Sequence, residues 1–259
     1  MNYSVVLGID TKTIEYLRVV APTWRKHKPQ LFQQPFVVFY DGVSPADIIA
    51  TMGAVDNAVY IQWPLAESAE YTRSNATKWD NPQRAKMLAG FVHIPAMYVN
   101  TPYWLKLDVD AVAVGMSDWL DPGWFDGNPS IIAPGWNYTK PANQMLQLDS
   151  WASASDVSFF KGTQPLNLCP EPGSELVRHS RIVSWCAFFS TEFTRLCARE
   201  ASRTCGIGHI PVDSQDGFHF YCAQRGGFTI RRVAMKKHGW QIRSSMTSVQ
   251  EAANQALQG

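Results

Sequence analysis

Apolar positions along the first hundred residues follow two alternating rhythms. "YSVVLGI" from Tyr3, "PFVVFYDG" from Pro35 and "NAVYIQW" from Asn57 are short runs rich in β-branched and aromatic residues, which predicts strands. Between the first two, "TKTIEYLRVVAPTWRKH" spaces its apolar residues as a helix does. "SPADIIATMG" predicts a second helix, entered through Ser44–Pro45 and closed by Gly53. The polar stretch from Leu65 to Trp79 predicts a loop. A helix follows in "NPQRAKMLAGFVHIPAMYV", with Asn81 as its N-cap and Pro82 in its first position. "YWLKLDVDAVAV" from Tyr103 then predicts a fourth strand.

The second half is less regular. "WLDPGWFDGNPSIIAPGWNYTKP" sets Trp among Gly and Pro, which predicts turns around one short strand at Ile131 and Ile132. Gln144 to Glu175 is loop-rich. "SRIVSWCAFFS" predicts a strand, "TEFTRLCAREAS" and "DSQDGFHFYCAQRGG" predict helices, "FTIRRVA" a late strand and "SVQEAANQALQG" a weak terminal helix. No repeat or linker divides the chain. It reads as one domain over 1–259, with halves at 1–115 and 116–240 and a C-terminal helix or tail over 241–259. Strands alternating with helices imply an α/β fold with a mostly parallel central sheet and helices on both faces. In such sheets ligands bind beyond the carboxyl ends of the strands, where Asp10, Asp41 and Asp108 fall.

Composition narrows the class. A hydrophobic fraction of 46% with 17% charged residues suits a soluble globular protein. A net charge of +1 gives no reason to expect nucleic acid or a membrane surface as partner. The five cysteines show no CxxC pair and no zinc-like spacing. No run of about 18 apolar residues occurs, and the first residues enter a strand with no targeting pattern. Reduced thiols and a cytoplasmic location are therefore expected.

The run "YWLKLDVDAVAVG" poses a chemical problem. In a strand, successive side chains alternate faces, so Asp108 and Asp110 point the same way. Two like charges at the edge of an apolar segment repel, and burying either alone is costly. Lysine or arginine from elsewhere would balance them. A hard divalent cation, Mg²⁺ or Mn²⁺, does so too, since it takes oxygen ligands and is typically held by one or two carboxylates plus substrate phosphates. Arg84 and Lys86 lie in the first turn of the preceding helix, against its dipole. An anion bound there would offset that penalty.

An apolar strand leading to Asp-x-Asp, after a strand–helix–strand start ending in "YDG", resembles the GT-A fold glycosyltransferases over roughly residues 3 to 115. The resemblance implies a nucleoside-diphosphate sugar, such as a UDP-sugar, as donor and a saccharide or other hydroxyl compound as acceptor. It also implies Mn²⁺ or Mg²⁺ on Asp108 and Asp110, with 1–115 as the donor-binding half and 116–240 as the acceptor-binding half. A histidine near the C-terminus often completes the metal site in similar enzymes, and "KKHGW" offers His238. Imidazole suits manganese better than magnesium, which tilts the expectation toward manganese.

By the same resemblance, Asp10 and Asp41 stand where such enzymes hold base and ribose. Arg84 and Lys86 stand where they contact the diphosphate, and Asp216 where inverting members carry a general base. His219 and Asp213 are the alternatives for that base. The usual acidic pair is Gln215–Asp216 here. Trp136, Tyr138, Trp185 and Trp240 are candidate stacking surfaces for an acceptor sugar. Two other readings stay open. One is a nucleotidyltransferase, although "GIDTKT" lacks a Gly-rich basic loop. The other is a carbohydrate-binding protein without turnover, against which the intact Asp pair speaks.

Overall fold

The structure is a computed structural model. It describes residues 1–11, 13–63, 82–137, 168–169, 181–203, 215–243 and 245–259. The expected first half forms. Strands β1 (Tyr3–Asp10), β2 (Phe36–Asp41), β3 (Ala58–Gln62) and β4 (Tyr103–Leu107) alternate with helices α1 (Ile14–His27), α2 (Pro45–Met52) and α3 (Pro82–Tyr98). The Ser44 hydroxyl accepts from the Asp47 backbone N–H at 3.1 Å, and so caps α2 as the Ser-Pro start predicted. Asn81 and the stretch from Leu65 to Trp79 lie outside the described residues.

Two expected strands are each broken in two, and the breaks lie side by side. "YWLKLDVDAVAV" is not continuous: β4 stops at Leu107, the Ala111 N–H bonds the Asp108 carbonyl at 3.0 Å, and β5 (Ala111–Ala113) starts beyond that turn. "SRIVSWCAFFS" likewise divides into β9 (Arg181–Val183) and β10 (Cys186–Ser190). β10 runs antiparallel to β4 with Cys186 opposite Leu107, so the Ser184–Trp185 break adjoins the Asp108 turn. The Asp108 N–H bonds the Trp185 carbonyl at 2.8 Å across that gap. Through that bond one backbone group at each break finds its partner in the other.

The remaining elements are β6 (Ile131–Ala133), β7 (Gly135–Asn137), β8 (Leu168–Cys169), α4 (Thr191–Arg203), α5 (Gln215–Gly226), β11 (Ile230–Arg232), β12 (Trp240–Ile242) and α6 (Met246–Gln258). Eight strands make one sheet in the order β3-β2-β1-β4-β10-β6-β11-β8. Within it β10 runs antiparallel to both neighbours, while the other pairs are parallel. Strands from both halves of the chain therefore share one sheet. Two ribbons stand apart from it, β5 with β12 and β7 with β9.

Alternation along the central strands feeds two cores. Val6 and Trp104 face one layer with Phe91, Phe193 and Phe218 of α3, α4 and α5. Val5, Leu7 and Leu105 face the other, with Leu17, Trp24 and Val249 of α1 and α6. α3 lies close on the sheet at Gly90, where a Cβ would come within 2.3 Å of the Phe39 ring. Only glycine permits that approach, and it seats the helix whose first turn carries Arg84 and Lys86. No helix among the described residues is long and apolar enough to cross a membrane.

Candidate active site

The carboxyl ends of β1 and β2 bring Asp10 and Asp41 side by side as register partners. Asp10 already serves the backbone: its Oδ1 accepts from the Thr13 N–H and from the Thr13 hydroxyl, each at 2.8 Å. The Asp10 N–H in turn donates to Thr13 Oγ1 at 2.7 Å. This closed set shapes the turn into α1 and sets Thr13 in the wall of a cavity of about 370 Å³, beside Gly8, Tyr16 and Phe91. Asp108 and Asp110 form another part of that wall, although they project from a turn rather than a strand. Asp41 is not among its lining residues.

Next to the acidic pair lies a cation. Lys106, on β4, is 2% exposed, and its ammonium donates to Asp108 Oδ1. It also lies 3.4 Å from the Ser184 carbonyl and 4.6 Å from the centre of the Phe91 ring. Burial works against the charge, yet the carboxylates of Asp108, Asp216 and Asp110 outweigh it and hold the lysine protonated above the ordinary range. Asp110 shows the opposite strain. Burial, and then the neighbouring charge of Asp108, push its carboxyl up to about 6.

Asp216 reaches the same place from the start of α5. The Ser184 hydroxyl donates to its Oδ1, and the Gln215 amide donates to the same oxygen at 2.9 Å. Ser184 thus touches both sides of the site, with its carbonyl near Lys106 and its hydroxyl on Asp216. His219, one turn further along α5, is fully buried and packs against the ring of Phe189 at 4.7 Å. Neither of its ring nitrogens has a hydrogen-bond partner among the described residues. Burial, and then the charge of Lys106, push it down to about 3, so the ring is neutral and enclosed. Asp213 lies outside the described residues.

His238 is not brought to the pair. It ends a 3-10 turn (Met235–His238) ahead of β12, and β12 pairs with β5 in the order Trp240 with Ala113 and Ile242 with Ala111. That register puts His238 beside Gly115, at the end of the ribbon away from Asp110. Along β5 the gap is roughly 15 Å at about 3.3 Å per residue. Lys28 fastens it there. The Lys28 ammonium donates to the carbonyls of Gly115 at 2.6 Å, Met116 at 2.5 Å and His238 at 2.9 Å. The His238 ring packs edge-on against Trp124 at 4.7 Å. Trp185 and Trp240, expected as stacking surfaces, are 8% and 0% exposed and belong to the core. The side chains of Arg84, Lys86 and Trp136, and all of Tyr138, lie outside what is described.

A divalent cation fits the residues present in part. Asp108 and Asp110 are oxygen donors under mutual repulsion that a dication would relieve. Among the described residues, no group of three or more His, Cys, Asp or Glu is arranged to hold a metal. Two carboxylates with the balance from substrate oxygens is an arrangement Mg²⁺ and Mn²⁺ accept. Lys106 and Ser184 were not singled out from sequence. The signal for Lys106 was a lysine two residues before Asp108, on the same face by strand alternation. Ser184 had none, because its role depends on a break in a strand.

No family model matches the chain, and no curated protein matches it. Among solved structures, core-mannan synthase A from Aspergillus fumigatus, in a Mn/GDP form, is 13% identical at a TM-score of 0.58, over 88% of this chain and 70% of that one. The galactosyltransferase LgtC, in complex with donor and acceptor sugar analogues, is 13% identical at 0.52, over 88% and 72%. The mannosyltransferase Ktr4p from S. cerevisiae is 10% identical at 0.52, over 85% and 62%. LgtC and Ktr4p are glycosyltransferases by name, and at these identities what is shared is architecture. With its mostly parallel sheet, its flanking helices and its acidic turn after β4, the chain has a GT-A fold.

Proposed function

We propose that this protein is a metal-dependent glycosyltransferase that moves a sugar from a nucleoside-diphosphate sugar to a hydroxyl acceptor. One observation carries the reading: the turn bearing Asp108 and Asp110 and the helix start bearing Asp216 meet through Lys106 and Ser184, beside a cavity at the carboxyl ends of the strands. Likeness in fold to glycosyltransferases, one of them in a Mn/GDP form, supports it.

Asp108 and Asp110 would hold Mn²⁺ or Mg²⁺, which supplies charge stabilisation to a departing diphosphate. Asp216 takes the proton of the acceptor hydroxyl as general base, and Ser184 and Gln215 orient its carboxylate through Oδ1. Asp10 holds the β1–α1 turn that lines the cavity, and Asp41 stands beside it at the nucleoside end. Arg84 and Lys86 are assigned to the diphosphate from their place in the first turn of α3. Residues 1–115 serve the donor and 116–240 the acceptor. His238 has no part in the metal site.

Thermal melting with UDP, GDP and CDP, each with and without Mn²⁺, tests this reading. A nucleoside diphosphate should stabilise the protein only when the metal is present, because a ligand of the native state raises its stability. An equal response to nucleoside triphosphates with release of pyrophosphate favours nucleotidyl transfer. Stabilisation by sugar alone favours a binding protein. No response to any nucleotide sinks the proposal.

A further inference from the structure

A buried lysine on a metal-binding carboxylate is a poor arrangement for capturing a free cation. The Lys106 ammonium, with its side chain 3% exposed, occupies Asp108 Oδ1, whereas the Asp108 side chain is 34% exposed toward the cavity. The lysine is enclosed. Its stem lies inside β4, the ring of Phe91 covers its head at 4.6 Å, and the Ser184 carbonyl lies 3.4 Å away. A dication approaching Asp108 and Asp110 therefore meets a fixed positive charge already bonded to one of its two ligands. Like charges this close inside a protein, where the effective dielectric is well below that of water, repel by more than thermal energy.

Charge counting points the same way. Asp216 also faces Lys106 but starts a different element and is not among the residues that line the cavity. Of the two carboxylates that do line it, Asp108 already has an ammonium bonded to it, so a dication meets less negative charge there than two unpaired aspartates would offer. A diphosphate supplies further negative charge and oxygen ligands beyond the two carboxylates, to which the described residues add no third His, Cys, Asp or Glu.

We infer that Lys106 is a positioning residue that makes loading of the divalent cation on Asp108 and Asp110 conditional on a nucleoside diphosphate in the adjoining cavity. The lysine acts through Asp108 and touches no substrate. The inference rests on the glycosyl-transfer reading and adds to it that the empty enzyme holds metal weakly by construction. Removing the lysine's charge should therefore strengthen metal binding to the nucleotide-free protein, the reverse of what loss of a merely structural residue would do.

Calorimetric titration with MnCl₂ tests this, using the wild type with and without UDP or GDP and the variants Lys106→Met and Lys106→Gln. Wild type should bind Mn²⁺ weakly alone and roughly tenfold or more tightly with one of the nucleotides. Either variant that melts cooperatively should bind Mn²⁺ alone roughly tenfold or more tightly than wild type does. Unchanged or weaker Mn²⁺ binding by a folded variant overturns the inference. So does a wild type that binds Mn²⁺ equally well with and without nucleotide, an arm that needs no variant to fold. Both of those outcomes leave nucleotide binding, and hence the glycosyl-transfer reading, standing. A wild type that binds neither nucleotide even with Mn²⁺ removes that reading and the inference together.

Discussion

Lys106 and Asp108 stand two residues apart on one face of the chain, and the ammonium of the first is bonded to the carboxylate of the second. The positive charge that the acidic pair demanded thus comes from the strand that presents it. The lysine is buried and its partner a third exposed, so the pair is anchored from within and open toward the cavity. No ion pair is formed by Asp110 among the described residues, and burial and the charge of Asp108 outweigh the pull of Lys106 on its carboxyl.

Asp110→Asn should abolish transfer while raising the melting temperature in metal-free buffer at neutral pH. The substitution removes one of two proposed metal ligands and also removes a carboxylate whose ionisation burial opposes. Product assay and scanning calorimetry read the two effects separately. Residual transfer near the wild-type rate would show that the acidic turn is not the metal site.

Asp216→Asn should lower the rate of transfer about 10²- to 10⁴-fold, the usual contribution of a positioned general base. The isosteric amide keeps the hydrogen bond from Ser184, so the affinity for nucleoside diphosphate with Mn²⁺ should stay within about twofold. Steady-state kinetics beside a nucleotide titration distinguishes a base from a structural cap. A variant that loses binding and rate together assigns Asp216 to the helix start alone.

His219→Phe should stabilise the protein at neutral pH by about 1–3 kcal/mol. Two buried ring nitrogens without hydrogen-bond partners among the described residues are replaced by carbon of similar volume beside Phe189, Phe193 and Phe218. The histidine titrates near 6.5 when unfolded and near 3 when folded, so between these values the unfolded chain binds the extra proton. Its effect on stability is constant above pH 6.5, and stability falls as the pH drops toward 3. Melting curves at pH 7.5 and pH 5 should therefore converge in the variant relative to wild type. An unchanged acid dependence would place the titration elsewhere.

Lys28→Met should destabilise the fold by roughly 3 kcal/mol or more, since three carbonyls lose their donor at once. Burial draws this lysine down to about 8, which leaves it largely protonated at neutral pH. Gly239→Ala should act on the same joint. Gly239 has φ +75°, and a Cβ there would lie 2.6 Å from the carbonyl oxygens of Val114 and Gly115. Urea unfolding should show both losses. Melting unchanged in Lys28→Met would mean the carbonyls find water instead.

Hydrophobic rhythm alone determined the first three strands, the start of the fourth, their intervening helices and the placing of Asp10, Asp41 and Asp108 at strand ends. Those features are local: period two or period near 3.6 decides which face is buried, and the Ser-Pro start of α2 and the Asp-Gly end of β2 need no distant partner. Asp-x-Asp was legible as a charge problem for the same reason.

What the sequence left open depends on contacts between distant segments. "YWLKLDVDAVAV" and "SRIVSWCAFFS" read as unbroken strands, because apolar content does not register that β5 leaves the sheet to pair with β12 and β9 to pair with β7. The turn at Asp108, the serine that reaches Asp216 and the distance of His238 from the acidic pair all follow from those pairings. Trp185 and Trp240 show the limit most plainly. An indole beside Gly or Ser has the same neighbours in sequence whether it faces solvent or core, and only the packing of the two faces decided that both are buried.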